Sequence, residues 1–168
     1  VALDAARALA PPDMAIVRYP GLADLPHFNQ DLDTDSSRPE PVRVLRAEVA
    51  AADALLISSP EYAHGVPGSL KNALDWLVSG LEFPAIVIAL LNPSPRSTHA
   101  HAALVETMTT MSGNVLREAS LPIPLSGRVL APNEVLADPT VVAPLRQALQ
   151  ALHQALTEAR VADRRLVP

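Results

Sequence analysis

The sequence predicts an α/β domain built around a parallel sheet. Three short apolar runs, Met14 to Val17, Asp53 to Ser58 (DALLIS) and Ala85 to Leu91 (AIVIALL), are continuous rather than alternating, as in strands buried on both faces. Between and after them lie longer segments whose apolar residues recur at helical spacing. Strands alternating with helices form a sandwich in which helices cover both faces of the sheet. The 168 residues suit one domain, residues 1–168, with a single core.

The elements follow in order. Val1 to Ala10 (VALDAARALA) reads as a helix ended by Pro11-Pro12, and Met14 to Val17 as the first strand. Thr34 to Pro41 is polar and proline-rich, a loop leading into a helix striped by Val42, Leu45 and Val49. The Asp53 to Ser58 strand precedes a helix striped by Leu70, Ala73, Leu74, Leu77 and Val78. The Ala85 to Leu91 strand precedes one striped by Leu104, Thr107, Met108 and Met111. A long irregular stretch then leads to a final helix carrying Val142, Leu145, Leu149, Leu152 and Leu156, announced by Asp138 as N-cap and Pro139 at the first helical position.

Composition narrows the function. A hydrophobic fraction of 49% excludes a disordered chain. With no cysteine there is no disulfide framework, thiolate nucleophile or cysteine-ligated zinc, which is compatible with a reducing compartment. A net charge of -5 gives no overall attraction for nucleic acid or for an anionic membrane surface. The longest apolar run falls far short of the roughly 20 residues needed to cross a bilayer, and Asp4 and Arg7 interrupt the N-terminal stretch, so no signal peptide is expected there.

Ligands of open α/β sheets bind at the carboxyl ends of the strands. The most informative segment there is Ser58 to Trp76, SSPEYAHGVPGSLKNALDW, which leaves a buried strand, turns through Pro60, Gly65, Pro67 and Gly68, and enters a helix at about Ser69. Backbone N–H groups delivered beside a helix N-terminus can stabilise a negative ligand group. Gly65 and Gly68 would let backbone approach a flat ligand, and Tyr62 offers an aromatic face. An ordinary strand-to-helix turn is the plain alternative.

The run PEYAHGVPGSLKNALDW resembles the signature of the NAD(P)H-dependent FMN reductases, whose usual form is Pro-Glu-Tyr-Asn, a short turn, then Pro-Gly-x-Leu-Lys-Asn-Ala-Leu-Asp-Trp. The resemblance implies a flavodoxin-like three-layer sandwich with a parallel sheet, carrying FMN and using NAD(P)H. In that family this loop wraps the isoalloxazine, largely with main-chain groups. It therefore implies contacts from Pro60, Glu61, Tyr62 and Gly65, with Ala63 and His64 lining the same loop. Pro67, Gly68, Leu70, Lys71, Asn72 and Trp76 are implied to set the next helix and a subunit contact.

This sequence departs from the family pattern in three places. The usual asparagine after the tyrosine is Ala63, which removes a side-chain hydrogen bond. The next flavin-side loop, often glycine-rich, is LNPSPRST here, with Asn92, Ser94 and Arg96 the expected contacts to flavin or nicotinamide phosphate and a solvated arginine the alternative at Arg96. Nothing matches the family's phosphate loop, Gly-Ser-x-Arg-x-x-Ser-x-Asn. Val1 falls about where the helix after that loop begins, so the expectation is an absent N-terminal strand and phosphate loop. Either the natural N-terminus lies upstream or the protein lacks these parts; the first is physically favoured, since deleting a central strand leaves unpaired backbone in the sheet.

Other constellations are weaker. His99-x-His101 points to two helix faces with no third ligand near in sequence, so both read as surface histidines and no metal site is expected. His27 and His153 are isolated, and the Ser-Pro-Glu-Tyr turn is no Gly-x-Ser-x-Gly elbow. Glu61 has no obvious partner carboxylate, so no catalytic acid–base residue is expected. The resemblance thus implies a cytoplasmic NAD(P)H-dependent FMN oxidoreductase. It would transfer hydride through bound FMN to a quinone or similar small-molecule acceptor, as a homodimer or homotetramer that binds neither nucleic acid nor membrane. The alternatives are a non-catalytic flavodoxin-like electron-transfer or binding domain, and a degenerate relative that has lost flavin.

Overall fold

A computed structural model describes residues 1–125 and 131–166. The helices are α1 (Ala2–Leu9), α2 (Glu40–Ala51), α3 (Gly68–Leu77), α4 (Thr98–Thr110), α5 (Pro132–Ala137) and α6 (Pro139–Leu166). The strands are β1 (Ala54–Ser58), β2 (Val87–Leu91) and β3 (Asn114–Val115). The sheet runs β1-β2-β3, all parallel, with Ala54 opposite Val87, Ser58 opposite Leu91 and Val87 opposite Asn114. Because side chains alternate along a strand, Leu55, Ile57, Ile88 and Leu90 face one way and pack with α2, α3 and α4. Leu56 and Leu91 face the other way, into a core shared with α1, α5 and α6. The result is the expected three-layer sandwich.

Most stripes bury as predicted: Val42, Leu45 and Val49, then Ala73, Leu74 and Leu77, then Leu104 and Met108. Val78, the C-cap of α3, is an exception at 63% exposed. The Asp138 cap forms, its carboxylate accepting the Thr140 N–H at 2.9 Å.

Two expectations are corrected. Met14 to Val17 is not a strand: Met14 and Ile16 pack against the same core as Leu56, but no described strand runs alongside to supply a hydrogen-bond ladder. Within the stretch expected to be irregular, β3 pairs with β2, and its two residues are too few to show a periodic pattern. The exit from α4 closes as a Schellman motif, with the Gly113 N–H on the Met108 carbonyl at 2.8 Å and the Ser112 N–H on that of Thr109 at 2.9 Å. Ser112 takes the left-handed position usual for glycine (φ 64°).

The expected subunit contact through Trp76 is also corrected. This side chain is fully buried in its own chain, donating its indole N–H to the Pro26 carbonyl at 2.8 Å, with Phe28 edge-on at 5.0 Å. Asn72 serves the same segment, donating to the Pro26 carbonyl at 2.9 Å and accepting the Phe28 N–H at 2.8 Å. These two motif residues anchor the segment before the Asp33 loop. That loop is held in turn by Arg38 and Arg46 on the Asp33 carboxylate, at 3.0 and 3.3 Å.

Candidate functional site

The carboxyl ends of β1 and β2 each open into a loop followed by a helix, and the two loops meet. Beyond β1, Tyr62 to Gly65 forms a tight turn closed by reciprocal backbone bonds, the Gly65 N–H on the Tyr62 carbonyl at 2.8 Å and the Tyr62 N–H on the Gly65 carbonyl at 3.1 Å. Its central residues, Ala63 (φ 48°) and His64 (φ 60°), are both left-handed, as a type I′ turn requires. That turn favours Asn-Gly, and a non-glycine residue there costs on the order of 1 kcal/mol. Pro60 and Pro67 flank the turn; without an N–H, proline cannot extend a ladder.

The exposed face of the turn carries Tyr62, 66% exposed, together with Ala63 and His64. The N–H groups of Glu61, Ala63 and His64 donate to no acceptor among the described residues. A Cβ added at Gly65 would meet only the Tyr62 carbonyl oxygen, at 3.4 Å, so the packing of this chain does not demand glycine there. The loop thus presents backbone donors and an aromatic face outward, and both suit the edge and plane of a flat, electron-poor ring.

The Glu61 side chain also serves the neighbouring helix. Its carboxylate accepts the Ala100 N–H at 2.8 Å, in the first turn of α4, where the N-cap Ser97 makes no capping bond. A carboxylate at this end is stabilised by the open donors and by the helix dipole. Asn92 likewise acts on its own loop, donating from Nδ2 to the Ser97 carbonyl at 3.0 Å and accepting the Ser94 N–H at 3.1 Å. Ser94 is half-buried beside it, while Arg96 is exposed, with no side-chain partner among the described residues.

His99 is exposed, as the sequence reading expects, whereas His101 is half-buried, a correction of that reading. Two positions apart on a helix, they point in different directions, and each has a neighbour. His99 stacks on His64, ring centroids 4.3 Å apart and planes within 12°. His101 is half-buried against a cavity of about 10 Å³ that it shares with Ile57, Ser59, Leu90, Asn92 and Ser97. Burial pushes its imidazole below the ordinary value. The cavity has room for about one water molecule, so a flavin ring would have to lie outside it, over the loop. Among the described residues, no group of three or more His, Asp or Glu gathers to hold a metal ion. The histidine contact was hidden in sequence because its partners belong to successive strand–helix units; the available hint was only that both follow strand ends.

The profile of the family described as NADPH-dependent FMN reductase matches residues 1–126. A quinone reductase of Escherichia coli (strain K12) is 39% identical over 69 residues, 41% of this chain and 37% of that protein. A 2-hydroxy-1,4-benzoquinone reductase of Burkholderia sp is 46% identical over 68 residues, 40% of this chain and 36% of that protein. The chain thus aligns with little more than a third of the length of these relatives. Among solved structures, FerB, a flavoenzyme NAD(P)H:(acceptor) oxidoreductase from Paracoccus denitrificans, superposes with a TM-score of 0.73. The match covers 93% of this chain and 87% of that one at 23% identity, a likeness of fold.

Proposed function

The chain belongs to the NADPH-dependent FMN reductase family, and from that premise we propose that it is an FMN-dependent NAD(P)H oxidoreductase acting on a quinone or similar small molecule. The observation that carries this reading is the row of uncommitted N–H groups on the exposed, left-handed turn Tyr62 to Gly65, at the carboxyl end of a parallel strand. FMN, when bound, supplies the redox chemistry, taking hydride from the nicotinamide and passing electrons to the acceptor. The N–H groups of Glu61, Ala63 and His64 would donate to the flavin and stabilise negative charge on it, an oxyanion-type role. Pro60, Tyr62 and Gly65 would form the surface that holds the ring. Asn92 shapes the second loop, Ser94 adds a polar group beside it, and Arg96 supplies a free cation for a phosphate. The whole chain is one FMN-binding domain in this reading, and its cysteine-free composition supports a cytoplasmic location.

A second copy of the chain is the proposed partner. A groove of about 430 Å³ between α3 and α4, lined by Lys71, Leu74, Val78, Glu106 and Met111 among others, supports this assignment. Quinone as the acceptor is supported by the names of the relatives.

Reconstitution with FMN tests the reading, followed by incubation with NADPH and a benzoquinone. Nucleotide oxidation that depends on bound FMN is expected; bound FMN without oxidation would leave an electron-carrying domain instead. Gly65→Ala probes the placement of the ring: the fold has space for a Cβ there, so the variant should stay folded while FMN affinity falls by about tenfold, roughly 1.4 kcal/mol. Unchanged affinity would move the ring elsewhere.

A further inference from the structure

We propose that His64 and His99 are positioning residues, a stacked pair that braces the left-handed turn Tyr62 to Gly65 against the start of α4 and so aims its N–H groups at the flavin; the proposal rests on the FMN reading above. Three observations carry it. The turn is locally disfavoured: histidine accepts left-handed backbone better than most residues, but Ala63 has no side chain to favour it, and neither residue is the glycine or asparagine that type I′ turns select. Among the described residues nothing extends the turn into a hairpin, since prolines stand at 60 and 67 and the turn's one bridge is Tyr62 to Gly65. The first turn of α4 reaches the loop twice: through the Ala100 N–H on Glu61 at 2.8 Å, and through the His99 ring on His64 at 4.3 Å.

The two contacts restrain different parts of the loop. Glu61 lies before the turn, and its bond fixes where the chain enters. His64 is itself one of the left-handed residues, so stacking its ring restrains the backbone of the turn directly. The brace replaces, with a contact across two strand–helix units, the local preference that an asparagine at position 63 would have provided. Both rings are exposed, so the pair adds no core packing whose loss would unfold the protein.

The test uses the full chain with and without FMN. Without FMN, His99→Ala should speed hydrogen exchange at the Gly65 amide several-fold, because that amide is held by the turn's own bond to the Tyr62 carbonyl. With FMN, His99→Ala and His64→Ala should each raise the dissociation constant by about 3- to 10-fold. The double variant should be no worse than either single, since one interaction is lost in all three. His99→Phe, which keeps a flat ring, should restore affinity to within about twofold of the parent, and Ala63→Gly should shrink the His99→Ala loss by easing the turn. An unchanged Gly65 exchange rate overturns the brace. Unchanged FMN affinity in His99→Ala, single losses that multiply, or a Phe variant as weak as the Ala variant overturns the positioning role. If the parent protein binds no FMN, the functional reading and the positioning role fall together, and the exchange rate alone still decides whether the brace exists.

Discussion

The chain bends through left-handed backbone at both ends of its sheet, and it holds the two bends differently. At the amino end, Ala85 (φ 67°) and Ser112 (φ 64°) precede adjacent strands and are tied by a backbone bond, the Ala85 N–H on the Ser112 carbonyl at 2.8 Å. Both residues are exposed, although Phe83 and Ile86 beside them in sequence are buried. There one left-handed residue holds the other, backbone to backbone. At the carboxyl end, Ala63 and His64 are likewise exposed, but their loop is held from the neighbouring helix α4, by the Ala100 N–H on Glu61 and the His99 ring on His64. Strain held through contacts from another strand–helix unit marks a place where conformation serves something other than stability.

The comparison can be broken from either end. The largest effect is expected from Gly113→Ala. A Cβ there would stand 2.6 Å from Ile88 Cδ1, 2.9 Å from Phe83 Cε1 and 3.1 Å from the Met108 carbonyl oxygen. It should cost about 2 kcal/mol in urea unfolding, with FMN binding by the folded fraction unaltered. Glu61→Ala, at the other end, should cost about 1 kcal/mol through the lost α4 cap and also weaken FMN binding. Glu61→Gln, which keeps an acceptor, should recover most of both. Ala63→Gly should gain only about 0.5 kcal/mol, since relief of the left-handed penalty is partly offset by a more flexible unfolded chain. A destabilised Ala63→Gly variant would show that the turn is not strained.

The pH dependence sharpens the same contrast. Burial holds the folded His101 imidazole below its ordinary value, so as pH falls the unfolded chain takes up this proton first. Stability should therefore decline from about pH 6.5 downward until the folded ring is also protonated, and rise with pH across that window. His101→Phe should flatten this part of the stability–pH curve. An unchanged slope would show that the ring reaches solvent freely.

What was legible in the sequence follows the range of the forces involved. The strands at 54–58 and 87–91 and the helices between them declared themselves because continuity and helical period are local patterns. The Met14 to Val17 segment misled for the same reason: Met14 and Ile16 join the core that Leu56 also meets, as a strand's residues would, but strand pairing depends on a neighbour that composition does not reveal. The loop from Pro60 to Gly65 was legible through its motif. The partners that hold it were not, since Glu61 meets Ala100 and His64 meets His99 only after two strand–helix units have packed side by side. Gly113 shows the same limit. Ser112 takes the left-handed conformation after α4, and Gly113 is required for the space it leaves beside Phe83 and Ile88, neighbours that only the packed fold brings to it.

The bond from Ala100 to Glu61 spans 39 residues, and this separation bears on how the protein folds. A helix capped by its own N-terminal residue can nucleate as soon as it is synthesised. The first turn of α4 has no such cap, and its nearest substitute arrives only after a long loop has closed. The middle of α4 can therefore form early against Ile88 and Leu90, while its beginning matures late, together with the loop after β1. Helix end and loop become one cooperative unit, whose local opening exposes both together while the core beneath remains closed.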